Sequence, residues 1–188
     1  MKVDEKKQPI RGTEMEIACD TLLLSVGLIP ENELSKQAGI VLDTTTGGAI
    51  VDQDRQTSAE GIFACGNVLH VHDLVDFVSD EAETAGRCAA TYIHQTTQAP
   101  QIDISVEAQG AVRYVVPQKI SKVVDVKLYF RVSDVIEDAV IFVKDENHTI
   151  LSRKKQKVAP GEMESIILGR DAVANIAGRK LYIEVTKQ

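Results

Sequence analysis

Hydrophobic and polar positions follow two different rhythms along this chain, and the change falls near residue 100. Before it, strand-like and helix-like segments alternate. EMEIACD sets Met15, Ile17 and Cys19 on one face, the alternation of a half-buried strand. TLLLSVG is apolar on both faces, which predicts an interior strand of a covered parallel sheet. PENELSKQAG reads as a short helix with Pro30 near its start and Gly39 at its stop. GGAIVD and GIFACG read as two further short strands. SDEAETAGRCAATYIHQ predicts a helix capped by Ser79, with acids in its first turn and a thin stripe of Ala82, Ala85, Ala89 and Ile93.

After the polar seam HQTTQAPQIDI, strand patterns follow one another: VRYVVPQKI, VDVKLYFRVS, AVIFVKD, ESIIL and KLYIEVT, divided by turns such as KDENHT and APGEM. This spacing predicts an all-β sandwich of immunoglobulin-like type over residues 101–188, without the Trp and disulfide of a true immunoglobulin domain. Pro117 inside its strand implies an edge or a bulge. SRKKQK reads as a solvated strand end, with a docking patch for an acidic partner as the alternative.

The front unit, residues 1–100, is expected to be α/β and incomplete. An interior parallel strand needs strands on both sides and helices on both faces, and one substantial helix cannot supply them. Charge marks the same division. Residues 1–104 carry 7 basic against 17 acidic side chains, and residues 105–188 carry 14 against 11. The overall charge of −7 argues against a nucleic-acid partner. The sequence contains no run of about 18 apolar residues, so no membrane span is expected. Cys19, Cys65 and Cys88 form no Cys-x-x-Cys pair and are read as small core residues in a reducing, cytoplasmic setting.

Cofactor chemistry first shows by omission. The twelve glycines include no pair two apart, so the chain has no Gly-x-Gly dinucleotide loop. GIFACGNV has the outer spacing of a phosphate loop but lacks its Lys-Ser/Thr. What TSAEGIFACGN does carry is an ordered set: Thr57, Gly61, Ile62, Phe63, Ala64 and Gly66, followed by Asn67. With CDTLLLSVGLIPENELSKQAGI before it and a helix after it, this stretch resembles the C-terminal half of the flavin-dependent pyridine nucleotide-disulfide oxidoreductases. Their second flavin motif runs Thr-x-x-x-Gly-hydrophobic-Phe/Tyr-Ala-x-Gly-Asp. Asn67 departs from it by replacing the acid. The likeness is strongest to bacterial FAD-dependent enzymes linked with anaerobic glycerol-3-phosphate metabolism, which end in an extra β-rich domain.

The resemblance implies a partial FAD/NAD(P)-binding Rossmann-like portion over residues 1–100. It implies FAD contacts at Gly66, Asn67 and Val68, and at the helix start formed by Val78, Ser79, Asp80 and Glu81. It also implies NAD(P)H as electron donor in the complete protein, with Gly27 and Pro30 shaping the crossover between nucleotide domains. The partner it implies is the remaining N-terminal part of the same protein; a redox partner subunit and a second copy stay open. No residue here offers itself as a catalytic nucleophile or base. His70, His72 and Asp73 in HVHD leave three readings open: satisfied histidines, a histidine tuning or relaying protons to a flavin, or metal ligands. The last lacks a third ligand at useful spacing, and no metal site is assigned.

Overall fold

The computed structural model describes residues 1–6, 8–25, 27–94 and 102–188. Past the seam, eight strands follow in order: β1 (Ile104–Gly110), β2 (Val112–Val116), β3 (Lys119–Ile120), β4 (Val126–Val132), β5 (Ile136–Asp145), β6 (Thr149–Val158), β7 (Glu164–Leu168) and β8 (Lys180–Lys187). They build a five-stranded sheet, β3-β1-β8-β5-β6, and a three-stranded sheet, β2-β4-β7. β1 lies parallel to β8 and the other pairings are antiparallel. Leu128, Phe130, Ile141, Val143, Leu181 and Ile183 of both sheets meet in one core.

The strand pattern carries one informative exception. Along β4 the core residues Leu128 and Phe130 alternate with Tyr129, which must face the other side of the sheet. Tyr129 is nevertheless only 1% exposed. The front part covers that outer face, so the two parts pack on each other through the three-stranded sheet.

Pro117 lies at sheet edges, as expected, but between two edge strands rather than inside one. VRYVVPQKI is divided at Pro117 into β2 and β3, which join different sheets. Proline has no N–H to continue the ladder, and the chain changes sheet there. β1 and the full length of β6 go beyond the sequence reading. β6 is an edge strand whose charged positions face solvent, so its middle looks like a solvated tail.

The front part departs further from expectation. EMEIACD and the described residues of TLLLSVG form no strand: Leu23 is 89% and Ile29 87% exposed, and Cys19 is exposed as well. Neither segment meets a neighbouring strand among the described residues, and an extended chain without a ladder partner cannot bury both faces. GGAIVD and GIFACG take part only in single bridges, Leu42 to Ala49, Val51 to Thr57 and Gln56 to Phe63. Helix α1 (Glu33–Gln37) forms between Pro30 and Gly39 as expected. Helix α2 runs Val75–His94 and starts four residues before Ser79, which therefore lies inside it and does not cap it. Its buried positions are Glu81 and Ala85; of the expected stripe Ala85 is buried and Ala89 half-buried, whereas Ala82 and Ile93 are exposed, so the packed face includes only the middle of that stripe.

Ile40, Ala49, Val51, Leu69 and Val116 make a small core of the front part, and Val116 comes from β2. Gly48 belongs to it through backbone: a Cβ there would stand 1.8 Å from the Leu69 carbonyl oxygen. Gly48→Ala is expected to destabilise by about 1–3 kcal/mol, as forced overpacking does. A urea midpoint equal to that of the parent chain would count against this close approach. No helix among the described residues is long and apolar enough to cross a membrane.

Candidate functional site

The segment that resembles the flavin motif ends in a 3-10 turn, Gly66–Val68, and a short loop that leads into α2. Gly66 starts the turn at φ +73°, where an L side chain is strained, and a Cβ there would meet Val78 Cγ1 at 3.3 Å. Three contacts hold the turn. The buried Asn32, just before α1, donates from Nδ2 to the carbonyls of Val68 (2.7 Å) and Gly47 (2.9 Å). Asn67 Oδ1 accepts from the His72 amide at 3.1 Å. The Gly66 amide donates to Glu81 Oε2 at 2.7 Å.

Glu81 is the centre of the site. It is 1% exposed and reaches from α2 under the turn. Its Oε1 accepts from Arg55 Nε at 2.9 Å and meets His70 Nε2 at 3.4 Å; its Oε2 takes the Gly66 amide and meets His72 Nε2 at 3.0 Å. Burial alone would raise this carboxyl. Hydrogen bonds from His70 and His72 and the Arg55 charge outweigh that and hold it well below the usual carboxylate range. Glu81 is therefore an anion with a donor in each direction. Burial, only partly countered by Glu81, pushes the His70 imidazole down, so it is neutral at pH 7. With Nε2–H turned to Glu81, the Nδ1 of each histidine is buried without a partner.

Tyr129 closes the back of this cluster. The His72 ring meets it edge-on at 5.6 Å between centroids, and the His70 ring at 5.8 Å. Asp80, one residue before Glu81, points the other way. It accepts from Lys127 Nζ at 2.5 Å and Tyr129 Oη at 3.1 Å, and the Lys127 hydrogen bond holds its carboxyl below the usual range. Asp73 takes the Arg131 guanidinium and the Met163 amide. Cys65, just before Gly66, is pushed up by burial and by the Glu81 charge, so it stays a thiol at neutral pH.

The seven residues expected at the cofactor fall into two groups. Gly66, Asn67 and Val68 share the turn, and Asn67 is exposed with its oxygen engaged, which leaves its amide nitrogen available to a ligand. Val78, Ser79, Asp80 and Glu81 lie within α2, so their amides are not at its start. Val78 backs Gly66, Ser79 is exposed, Asp80 turns to the β-part, and Glu81 supports the turn from beneath.

His70, His72 and Glu81 do bring three ligand-type atoms within 4.8 Å of one another. The same carboxylate already carries Arg55, whose guanidinium repels a dication, and neither Nδ1 has the carbonyl or carboxylate that orients a metal-bound imidazole. The arrangement is that of a neutralised buried hydrogen-bond cluster.

Residues 1–101 match the sequence family described as pyridine nucleotide-disulphide oxidoreductase. This chain belongs to that family. Its members are oxidoreductases that use FAD and NAD(P)H.

The chain is 28% identical over 109 residues to the ferredoxin reductase component of a chlorobenzene dioxygenase from Cupriavidus sp. (strain PS12), covering 54% of this chain and 26% of the relative. It is 34% identical over 84 residues to a thioredoxin reductase of Treponema pallidum (44% of this chain, 26% of the relative). It is 33% identical over 93 residues to the ferredoxin–NAD(+) reductase subunit of a benzene 1,2-dioxygenase system from Pseudomonas putida (46% and 22%). The chain thus spans about a quarter of the length of these curated relatives. No solved structure matches it.

One member of this cluster, Arg55, escapes sequence reasoning, and so does the role of another, Glu81. Arg55 lies in the polar turn DQDRQT, and only its left-handed backbone at φ 67° marks it as unusual for a residue other than glycine. Glu81 looks like one more acid of a helix start; nothing in the spacing ties it to HVHD.

Proposed function

We propose that this chain is the C-terminal portion of an FAD-dependent NAD(P)H oxidoreductase, contributing the second flavin-binding motif and a β-rich accessory domain, and inactive alone. The observation that carries the reading is the Gly66–Val68 turn. It presents an exposed Asn67, with its oxygen fixed by His72, at the position where the family motif meets the flavin's ribityl chain. Asn67 would donate to a ribityl hydroxyl, and Gly66 and Val68 would line the approach. Bound FAD would supply two-electron transfer from NAD(P)H to an acceptor. Val78, Ser79, Asp80 and Glu81 would act by shaping the turn and the helix beside it.

The exposed Leu22, Leu23, Leu24, Leu28 and Ile29 support the portion reading, because these side chains fit the interior of a sheet whose other strands belong to the rest of the polypeptide. The division at residues 100 and 101 and the immunoglobulin-like character of the second unit belong to the same proposal; the parallel pairing of its first and last strands favours the latter. So does the placement near the bacterial enzymes linked with anaerobic glycerol-3-phosphate metabolism, with a cytoplasmic location. Relatives named as ferredoxin reductase components favour a protein redox partner. A purely partner-binding or self-association module is disfavoured, because the apolar side chains of KLYFRV and AVIFVK are almost all spent on the chain's own interior.

The test compares the visible absorption of the complete reading frame with that of these 188 residues. The complete protein is expected to be yellow and bleached by NADH or NADPH, and the short chain to bind FAD weakly or not at all. A colourless complete protein that also fails to take up added FAD overturns the reading. Tight, stoichiometric FAD binding by the short chain overturns its incompleteness.

A further inference from the structure

Arg131 of β4 makes more hydrogen bonds across the two parts than any neighbouring side chain of that strand. Its Nε donates to Tyr114 Oη at 3.1 Å and its Nη1 to the Pro160 carbonyl at 3.1 Å, both within the β-part. Its Nη2 crosses to the front part, donating to the Val71 carbonyl at 2.9 Å and to the Asp73 carboxylate. The Met163 amide holds the other Asp73 oxygen at 2.6 Å. Arg131 thus grips the residues on either side of His72. His72 in turn donates its amide to Asn67 Oδ1 at 3.1 Å and meets Glu81 Oε2 through Nε2 at 3.0 Å. A planar, permanently charged fork that bridges four acceptors fixes their relative positions as a flexible ammonium cannot.

We propose that Arg131 is a positioning residue for the flavin site of the whole protein: through Val71 and Asp73 it holds His72, and through His72 it sets the side chain of Asn67. The β-part is then a clamp on the cofactor turn, and its outer sheet face is a working part of the redox site. This inference rests on the functional reading above. The route is physical and short, consisting of one guanidinium, two loop residues and one amide hydrogen bond, and the loop residues Val71 and Asp73 lie on a segment with no regular secondary structure of its own to hold it.

Arg131→Lys and Asp73→Asn, made in the complete polypeptide, test it. Each is expected to change the ratio of affinities for reduced and oxidised FAD about tenfold, read as a shift of about 30 mV in the two-electron midpoint potential. The flavin absorption band should shift with it, and the double variant should move no further than either single one, because both act through the same contact. A role confined to folding would lower the unfolding temperature and leave the potential in place. Tyr114→Phe, which frees only one edge of the guanidinium, replaces these variants if they do not fold, with a smaller shift expected in the same direction. An unchanged potential in yellow, folded protein overturns this inference alone. A wild-type polypeptide that holds no flavin overturns the functional reading, and this inference with it.

Discussion

Replacing Glu81 by alanine is expected to destabilise the protein by about 3–5 kcal/mol, the usual cost of removing one partner from a buried ion pair. The change strands one buried charge and leaves three further polar groups without their partner. Arg55, 3% exposed, loses its only carboxylate within the cluster; the Gly66 amide loses its acceptor; and both histidines lose the oxygen their Nε2 atoms face. Glu81→Gln keeps the shape but offers one oxygen and an NH2 group to four donors, so at least one donor meets another donor. It should therefore cost nearly as much as alanine. Urea unfolding of the single variants and of Glu81→Ala/Arg55→Ala gives the coupling. The double variant should be less unstable than the sum of the singles, since it buries no lone guanidinium. Glu81→Gln within about 0.5 kcal/mol of wild type, the scatter of ordinary surface changes, would refute the cluster as drawn.

The same cluster sets an acid limit in two stages. His70 is held below its ordinary value of 6.5, so the unfolded chain takes up a proton at higher pH than the folded one does. Stability from this group is complete above about 6.5 and falls as pH falls below it. Glu81 is also held below its ordinary value of 4.5, so its contribution is complete above that pH and is lost as acid is added below it. Each group can remove up to about 1.4 kcal/mol per pH unit within its window. Urea midpoints should therefore start to decline near pH 6.5 and steepen below pH 4.5. His70→Gln should abolish the first stage and keep the second. A wild-type profile flat down to pH 4.5 would mean that His70 is not a buried neutral imidazole.

Much of the β-part could be read from its pattern, because alternation over strands such as KLYIEVT, with Leu181, Ile183 and Val185 inward, reports a single buried face directly. Tyr129 breaks such alternation along β4, and its partner surface comes from residues about fifty positions earlier, which local pattern cannot encode. The front part was harder for the opposite reason. TLLLSVG has the composition of an interior strand, but a strand exists only where a ladder partner lies beside it, and propensity does not supply one. The α2 start was misplaced because Ser79 and the acids after it look like a cap, whereas the helix begins in VDFV, a segment that offers no such signal. The turn at Gly66–Val68 falls in a stretch that stands out in the sequence because its constraints are local: Gly66 takes a positive φ, and the following residue stands exposed. Arg55, and the buried role of Glu81 as its partner, could not be read, since a buried salt bridge is recorded in the sequence only as two ordinary surface-type letters.

Val116 gives the architecture a further meaning. It leaves β2 at zero exposure and fills the small core around Ala49, Val51 and Leu69, while Gln118 and Ser121 beyond it bond to Val51, Asp52 and Gln53. A β-domain bolted on as cargo could be exchanged among reductases like a tag. Here the transplant would take a piece of the host's interior with it. The two parts are bound to change together, and a substitution at Ala49 or Val51 is felt first by a strand that sequence comparison would assign to a different domain.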